Sequence, residues 1–375
     1  MIIKNFSVNS FRNIASAEFE FSDKINIIGG SNAQGKTNLM EAVSFAVEKS
    51  FRTGKTAELL PDSGGECELK LKFVVDAHPN KVNRLECKIS ESGAVRKING
   101  LSYKDGIKLY PQLKTVVFIP EDLYIVKGTP EARRELADDT ADMMNKIHHN
   151  VTGRYFRALK QKNAYISSLY EASRARADFE QTSVWNEELA KSGVNVMVGR
   201  IKYFEQLSRY TAEFYSKLNS RGETLTMKYL SSIMEDTPFT LEDVDLMLET
   251  YMKKLSLHLD REISAGHTLI GVHRDDIAFF INGKPAKEYA SQGQKRSIAI
   301  ALRLAQAKMF EEKWGEAPVV ILDDVLSELD EERRGFILSH IVNSQVFITG
   351  CNKYDFEQLK NGKYCETESG KFTEQ

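Results

Sequence analysis

One octapeptide near the N-terminus constrains the fold more than any other feature of this 375-residue chain. It fits the pattern G-x-x-x-x-G-K-[ST] and reads Gly30, Ser31, Asn32, Ala33, Gln34, Gly35, Lys36, Thr37. An apolar segment at 24–28 precedes it, and apolar residues at helical spacing follow, so we expect a strand, a loop and a helix in succession. A loop in that context holds phosphate groups with its backbone N–H groups. The chain is therefore expected to be an α/β protein with a phosphate-binding loop.

The last two residues of this loop predict ATP and Mg²⁺ as cofactors. Lys36 is expected to reach the β- and γ-phosphates, and Thr37 offers a hydroxyl to the cation. A chance match in a glycine-containing turn is the alternative interpretation. The strand and helix expected on either side argue against it.

A second motif ends an apolar segment late in the chain. Residues 319–322 are all apolar, and Asp323 and Asp324 follow them. In a protein with a P-loop, the first carboxylate of such a pair helps to hold Mg²⁺ and the second positions or activates the attacking water. Two acids that simply cap a strand are the alternative. We predict Lys36, Asp323 and Asp324 as catalytic residues, with Thr37 and Asp323 at the metal.

A third motif lies 32 residues before Asp323 and opens a helix predicted over 292–312. Its residues are Ser291, Gln292, Gly293 and Gln294. A serine and a glycine at a helix N-terminus can form a second anion site, although in isolation a simple helix cap is the better explanation. Residues 327–330, Ser-Glu-Leu-Asp, follow the acidic pair. Four ordered elements together favour a nucleotide site to which Ser291, Gly293 and Gln294 contribute.

Changes in sequence pattern divide the chain into an α/β head and a helical insertion. Hydrophobic residues make up 42% of the chain, which is enough for two or three packed domains. Besides those above, strands are predicted at 17–21, 67–76, 84–90, 114–119 and 267–281. Helical patterns prevail between Pro130 and residue 264. We expect a head at 1–129 and 265–375, split by a mostly helical arm at 130–264.

These motifs resemble the RecF family of bacterial DNA-repair ATPases, which belongs to the SMC-like ABC class. The resemblance covers nearly the whole chain and also includes residues 11–13, 50–53, 120–123 and 271–276. It implies an ABC-type ATPase head with an inserted arm and a homodimer that forms on ATP binding. In that dimer the 291–294 motif of one subunit closes on the γ-phosphate held by the other.

The resemblance also implies a function in recombinational repair and replication. Family members hydrolyse ATP slowly with stimulation by DNA, bind gapped DNA (duplex and single-strand/duplex junctions), and promote RecA loading together with RecO and RecR. The resemblance suggests that Arg12 lies near the nucleotide. An ordinary exposed arginine in a turn is the alternative for Arg12.

Three departures from the wider ABC pattern indicate a slow switch. Asp324 stands where many such ATPases carry a glutamate, and Thr349-Gly350-Cys351 occupies the place of a switch histidine. Pro120-Glu121-Asp122 stands where a glutamine-containing loop would follow strand 114–119. These departures and the helical insertion argue against a transporter-type ATPase subunit. A non-hydrolysing SMC-like structural protein is a further alternative, which the intact Lys36 and the acidic pair disfavour.

Charge is balanced overall but not locally. The chain has 51 basic and 53 acidic residues and a net charge of −2, which excludes a protein that coats DNA indiscriminately. Residues 146–176 nevertheless carry a net charge of +6, and residues 231–252 carry −6. We predict that Arg154, Arg157 and Lys160 contact DNA phosphates. A solvated helical face is the alternative.

The remaining chemistry-bearing residues predict no further site. The four cysteines are scattered, which favours a reducing compartment. We expect His273 to be structural, and His148-His149 to be a solvated pair rather than metal ligands. No run of 18 apolar residues occurs, so the expected location is cytoplasmic, with no membrane partner.

Overall fold

The computed structural model describes residues 1–103, 113–145, 147–171, 179–219, 222–235, 237–351 and 362–374. The chain divides into two compact units. The first unit contains Met1–Asp122 and Leu302–Gln375, and the second contains Leu123–Ala301.

A six-stranded antiparallel sheet forms part of the first unit. Its order is β2-β1-β4-β5-β6-β7, with β1 (Ile2–Phe11), β2 (Ile14–Glu20), β4 (Cys67–Val75), β5 (His78–Ser90), β6 (Gly93–Ile98) and β7 (Leu101–Tyr103). Phe6 of β1 pairs with Phe19 on one side and Leu71 on the other, and all three are buried. The neighbouring row, Glu20, Asn5 and Lys72, is polar. This alternation is that of a sheet with one face on a core.

A second six-stranded sheet carries the phosphate-binding loop. Its order is β15-β14-β3-β13-β12-β8, with β3 (Ile25–Gly29), β8 (Thr115–Phe118), β12 (Val319–Leu322), β13 (Val346–Gly350), β14 (Gly362–Glu368) and β15 (Lys371–Glu374). All neighbouring pairs are parallel except β14 and β15. β12 and β13 are buried throughout, as expected for central parallel strands.

One apolar core joins both sheets to helix α1 (Lys36–Val47). The cluster includes Phe6 and Leu71 of the antiparallel sheet, Val43 of α1, and Ile321 and Phe347 of the parallel strands. Helix α10 (Glu331–His340) completes the regular structure of this unit. Its N-cap is Asp330, whose carboxylate accepts a hydrogen bond from the Arg333 amide.

The second unit is mostly helical. It contains α2 (Leu123–Lys127), α3 (Pro130–Met144), α4 (Ile147–Glu171), α5 (Phe179–Leu218), α6 (Val244–Leu257), α7 (Leu259–Ala265) and α8 (Ala286–Tyr289). A small antiparallel sheet is formed by β9 (Leu225–Leu230), β10 (Asp276–Ile281) and β11 (Lys284–Pro285). Helix α9 (Gln292–Trp314) spans the boundary at residues 301 and 302.

The second unit also holds a buried ionic network. Arg200 is 1% exposed and donates to both oxygens of Asp138 at 2.7 and 2.8 Å. Its third bond goes to the carbonyl of Val272 at 2.7 Å. Asp275 lies 3.8 Å from Arg200 and accepts from the Ser232 amide at 2.8 Å. The network ties helices α3 and α5 to the segment that leads into β10.

Most predicted elements are confirmed, and two differ from the prediction. β9 interrupts the region predicted to be helical, because Leu225 and Met227 are buried while the residue between them is exposed. The strand predicted over 267–281 begins only at Asp276. The hairpin turn at Asn282-Gly283 has φ angles of 50° and 77°, as a two-residue turn between antiparallel strands requires.

The compact units also differ from the predicted boundary at residue 265. Residues 265–301 group with the helical unit, because β10 pairs along its whole length with β9. Among the described residues, no helix has the length and apolar character needed to cross a membrane.

Candidate nucleotide-binding site

Four segments of the first unit meet at one edge of the parallel sheet. The loop of residues 30–35 follows β3, Asp323 follows β12, Thr349 and Gly350 end β13, and the turn Pro120–Asp122 follows β8. The carboxyl ends of parallel strands are the usual ligand site in α/β folds. The sequence motifs are far apart in the chain, and the sheet brings them together.

The backbone of the loop requires glycine at two positions. Gly30 has φ 139°, and a Cβ there would lie 2.4 Å from the Thr367 carbonyl oxygen. Gly35 has φ 108° and immediately precedes α1. Only glycine adopts these conformations without strain. The loop can therefore present its N–H groups at the start of α1, where the helix dipole favours anions.

Lys36 is held inside the loop. Its ammonium group donates to the carbonyl of Gly30 at 2.6 Å and of Ser31 at 2.9 Å, and its side chain is mostly buried. Gln34 contacts the β14–β15 turn, since its carbonyl accepts from the Gly370 amide at 2.9 Å. The lysine is thus positioned at the loop that would surround a triphosphate.

Thr37 and Asp323 form the centre of the site. Thr37 Oγ1 donates to Asp323 Oδ1 at 3.1 Å, and Thr349 Oγ1 donates to the same oxygen at 2.7 Å. Burial raises the pKa of Asp323; these hydrogen bonds oppose the effect, and the nearby charges of Asp324 and Glu121 add to it. Among the described residues, only hydroxyls donate to this buried carboxylate, which is therefore suited to receive a cation.

The donor set fits Mg²⁺. This ion is usually held by one or two protein oxygens together with phosphate oxygens, not by a cage of protein ligands. Thr37 and Asp323 supply such oxygens, and the described ranges contain no cluster of three or more metal-ligating side chains.

Asp324 occupies a strained turn beside this centre. Its φ is 54°, and its amide donates to Thr349 Oγ1 at 2.9 Å. Ser327 Oγ donates to the Asp324 carbonyl at 2.9 Å and lies 3.2 Å from Oδ1. A left-handed conformation in a non-glycine residue is typical of functional turns. The backbone hydrogen bonds of Asp324 with Thr349 and Ser327 therefore hold this residue at the edge of the site.

These residues line a cavity of about 480 Å³. The predicted residues in its wall are Asn32, Ala33, Gly35, Lys36, Thr37, Asp323 and Asp324. Residues without a predicted role also line it, namely Asn38, Phe51, Arg52, Pro120 and Glu121. The volume suits a small ligand.

Arg12 does not line the cavity. Its guanidinium binds Glu41 of α1 through two hydrogen bonds of 2.6 and 2.9 Å. Glu41 is fully buried and also accepts from Ser50 Oγ at 2.6 Å, while Arg52 Nη1 lies 3.4 Å away. Among the described residues, Arg12 is thus one of three partners of this buried carboxylate, and Arg52 is the partner that reaches the cavity. A lone carboxylate within the apolar α1 sequence was the signal that could have identified Glu41.

Asp122 holds the turn that places Glu121 in the cavity wall. It accepts from the Ile119 amide at 3.1 Å and from Arg303 at 2.5 and 3.1 Å. No local sequence pattern indicates the pairing of Asp122 with Arg303, because the two residues are 181 positions apart.

The 291–294 motif lies in the second unit and forms a reciprocal cap on α9. The Ser291 amide donates to Gln294 Oε1 at 2.7 Å, and the Gln294 amide donates to Ser291 Oγ at 3.2 Å. Gly293 is the second residue of the helix. This capping box fixes the orientation of the Ser291 side chain.

The predicted DNA-contacting residues lie on the surface of α4. Arg154, Arg157 and Lys160 are all exposed, and Arg154 pairs with Glu188 of α5 at 3.1 Å. Lys162 contributes nothing to this surface, because it forms a fully buried ion pair with Glu262 at 2.7 Å. Lys146, Arg174 and Arg176 lie outside the described residues. The described surface is therefore less basic than the sequence count suggests.

The histidines differ from one another in environment. His273 Nδ1 lies 2.6 Å from the Tyr155 hydroxyl, and burial lowers the pKa of His273 to about 4, which supports a structural role. His148 is buried and lies 3.0 Å from Asp138, so the prediction of a solvated pair is wrong for this residue. His149 is exposed, as predicted.

The fold and the site are those of an ABC-type P-loop ATPase head with a helical insertion. The family model for the RecF/RecN/SMC N-terminal domain matches residues 2–371. The DNA replication and repair protein RecF of Bacillus subtilis is 32% identical over 374 residues, which cover 99% of each chain. A solved structure of the recombination mediator protein RecF with ATP superimposes with a TM-score of 0.90 at 29% identity, over 100% of this chain and 97% of that one.

The chain belongs to the RecF family of DNA replication and repair proteins. A solved Smc head shares the fold, with a TM-score of 0.55 at 14% identity over 100% of this chain and 98% of that one.

Proposed function

We propose that this protein is an ATP-dependent DNA-binding protein of recombinational repair and replication-fork maintenance, and that it hydrolyses ATP slowly. The observation that carries the proposal is the hydrogen bond between Thr37 and Asp323, which joins the phosphate-binding loop to the acidic motif. The relative solved with ATP supports the choice of nucleotide.

Each residue of the site has a distinct task. The loop amides and Lys36 bind the β- and γ-phosphates, while Thr37 and Asp323 hold Mg²⁺. When bound, Mg²⁺ neutralises charge on the phosphate oxygens. Asp324 orients the attacking water and accepts its proton. Since an aspartate reaches less far than a glutamate, turnover is slow and the bound nucleotide acts as a switch.

ATP drives the formation of a homodimer in this proposal. The Ser291 hydroxyl, the Gly293 amide and Gln294 of one protomer complete the triphosphate site of the other. Arg12 supports this site through Glu41, whose second arginine partner, Arg52, lies in the cavity wall. Because the two composite sites are symmetric, each bound nucleotide contributes contacts to the dimer interface.

The dimer acts as a clamp on gapped DNA and helps RecO and RecR to load RecA. The solved relative is a recombination mediator protein of the RecFOR pathway, and this similarity supports the same partners here. Arg154, Arg157 and Lys160 contribute phosphate contacts. DNA binding stimulates hydrolysis in this scheme and so limits the lifetime of the clamp.

Measurement of molar mass with ATP and Mg²⁺, with and without DNA, tests the proposal. Wild type is expected to dimerise at micromolar concentration, and Lys36→Ala and Ser291→Ala are expected to stay monomeric. A wild type that remains monomeric would refute the clamp. Hydrolysis that DNA leaves unchanged would instead favour a structural or transporter-type ATPase.

The DNA surface has its own test. Arg154, Arg157 and Lys160 are replaced together by glutamate, and duplex affinity is measured against salt. Affinity should fall and the salt slope should shrink, since each phosphate contact releases counterions. The matched control replaces Lys191, Lys202 and Arg209, three exposed basic residues of α5, by glutamate. Equal losses of DNA affinity in both variants would indicate a general effect of net charge, not specific contacts by Arg154, Arg157 and Lys160.

A further inference from the structure

The side chain of Gln294 is bound at both ends. Its oxygen accepts from the Ser291 amide at 2.7 Å, and its nitrogen donates to Glu223 Oε1 at 2.9 Å. The first bond is part of the helix cap. The second leaves the motif and reaches the segment between α5 and β9, which belongs to the helical unit.

Glu223 is in turn fixed by the end of α5. Its second oxygen accepts from the Tyr215 hydroxyl at 2.8 Å and from Asn219 Nδ2 at 2.5 Å. Tyr215 is fully buried, so its hydroxyl is a rigid anchor. Glu223 therefore connects the last turn of the 40-residue helix α5 to the first turn of α9.

The chemistry of this junction requires a carboxylate. The described donors that converge on Glu223 include three groups: the amide nitrogens of Gln294 and Asn219 and the hydroxyl of Tyr215. An ionised carboxylate is an acceptor at every lone pair and satisfies all three. An amide of the same shape would turn an NH₂ group toward at least one donor.

We propose that Glu223 is a positioning residue that holds Ser291 in the orientation needed to close on the triphosphate of a second protomer. Ser291 Oγ accepts from the Gln294 amide and keeps its own hydrogen to donate to a phosphate oxygen. The inference rests on the proposed ATP-driven dimer and adds a residue to it that lies far from both ATPase motifs in sequence.

Helix α5 links the predicted DNA-contacting surface to Glu223. Glu188, in the first half of α5, pairs with Arg154 of the predicted DNA-contacting set at 3.1 Å. Tyr215, in the last turn, binds Glu223. A shift of α5 on DNA binding changes the position of Glu223 and, through Gln294, that of Ser291.

Glu223→Gln and Glu223→Ala test the inference in the full-length protein. The first is nearly isosteric and keeps the fold testable if the second fails to fold. Glu213→Gln is the matched control, because Glu213 is an exposed carboxylate of α5 that pairs with Lys217. Three quantities are measured: ATP affinity of the monomer, the dimer dissociation constant with ATP and Mg²⁺, and the melting temperature.

A positioning role predicts a split between these quantities. Monomer affinity for ATP should stay within about twofold of wild type, and the dimer dissociation constant should rise about tenfold or more, as expected for loss of a charged hydrogen bond. kcat should fall with little change in KM. Glu213→Gln should match wild type throughout.

Two outcomes would overturn the inference. Dimerisation of a folded Glu223→Ala protein with wild-type affinity would show that Ser291 needs no such support. If both variants have a lower melting temperature and lose ATP affinity in the monomer as much as they lose dimer affinity, the role of Glu223 is purely structural. Failure of wild type itself to dimerise would instead refute the underlying proposed function.

Tyr215→Phe tests the route through α5, because it removes one of the three donors and no packing volume. It should reduce DNA stimulation of hydrolysis more than it reduces hydrolysis without DNA. An unchanged stimulation ratio would contradict the route.

Discussion

Two mostly buried carboxylates, one in each compact unit, have opposite electrostatic environments. Asp138 in the helical unit accepts hydrogen bonds from Nε and Nη2 of Arg200, and it also contacts the ring of His148. Burial alone would raise its pKa, but these hydrogen bonds and charges prevail and lower the pKa of Asp138 to about 2. Asp323 in the ATPase unit accepts from the hydroxyls of Thr37 and Thr349, and burial raises its pKa.

The difference separates a structural carboxylate from a binding one. A buried charge is costly unless it is paired, and Asp138 is paired within the protein. No cationic side chain forms an ion pair with Asp323 in the described part of the chain. Its charge is therefore compensated only when a ligand brings a cation, and a perturbed carboxylate in a cleft is a mark of a functional site.

The largest expected effect comes from breaking the structural network. Arg200→Met should lower the free energy of unfolding by about 3–5 kcal/mol, because Asp138 and Asp275 lose their buried counter-charge. Urea denaturation at pH 7 measures this change. A loss below about 1 kcal/mol would mean that the network is solvated and that the contrast with Asp323 is false.

The buried His273 should make the stability of the helical unit depend on pH. Burial lowers the pKa of His273 to about 4 from an ordinary value of 6.5, so the unfolded chain binds its proton first as the pH falls. Stability should therefore rise with pH between about 4 and 6.5, with at most about 3 kcal/mol from this residue. Arg274 and Arg134 add to the shift. His273→Gln should reduce the slope of unfolding free energy against pH in this range. An unchanged slope would mean that another group causes the pH dependence.

A pair of identical substitutions compares the two carboxylates directly. Asp138→Asn should destabilise the protein by about 2 kcal/mol or more, since Arg200 loses its partner. Asp323→Asn should leave stability unchanged or raise it by up to about 1 kcal/mol, because an uncompensated buried charge is removed. Asp323→Asn should nevertheless abolish Mg²⁺-dependent ATP binding. Urea denaturation and nucleotide titration of both variants measure these effects, and similar destabilisation in both would remove the distinction.

The smallest effect is expected at the surface. Arg154 pairs with Glu188, and both side chains are more than a third exposed. Arg154→Ala should change the free energy of unfolding by less than about 0.5 kcal/mol, as exposed ion pairs usually do. Its effect should appear in DNA affinity instead. A stability loss comparable with that of Arg200→Met would show that α4 uses Arg154 as a structural residue.

Contiguous motifs made the centre of the site predictable. Residues 30–37 and 319–324 each carry the chemical groups in one short stretch beside a strand, and both segments have the predicted form. The parallel sheet then brings their ends together. The hairpin turn at Asn282-Gly283 likewise depends on local backbone preferences, since an Asn-Gly pair readily adopts positive φ angles.

Long-range pairings were not predictable in the same way. Glu41 binds Arg12, Ser50 and Arg52, and Asp122 binds Arg303. No local sequence pattern encodes these contacts. Charge counting failed at Lys162, because a sum over residues does not register that this lysine is buried with Glu262. Residues 265–301 group with the helical unit for a similar reason, since β10 finds its partner in β9.

A mixing experiment tests the central claim, that two protomers share each ATP site, most directly. Lys36→Ala and Ser291→Ala should each be unable to dimerise or hydrolyse ATP alone. Because neither variant dimerises alone, every dimer in an equal mixture is a mixed one. One of its two sites combines an intact loop with an intact signature motif, so the mixture should recover up to about half of wild-type hydrolysis. A mixture no more active than either variant alone would contradict the shared site.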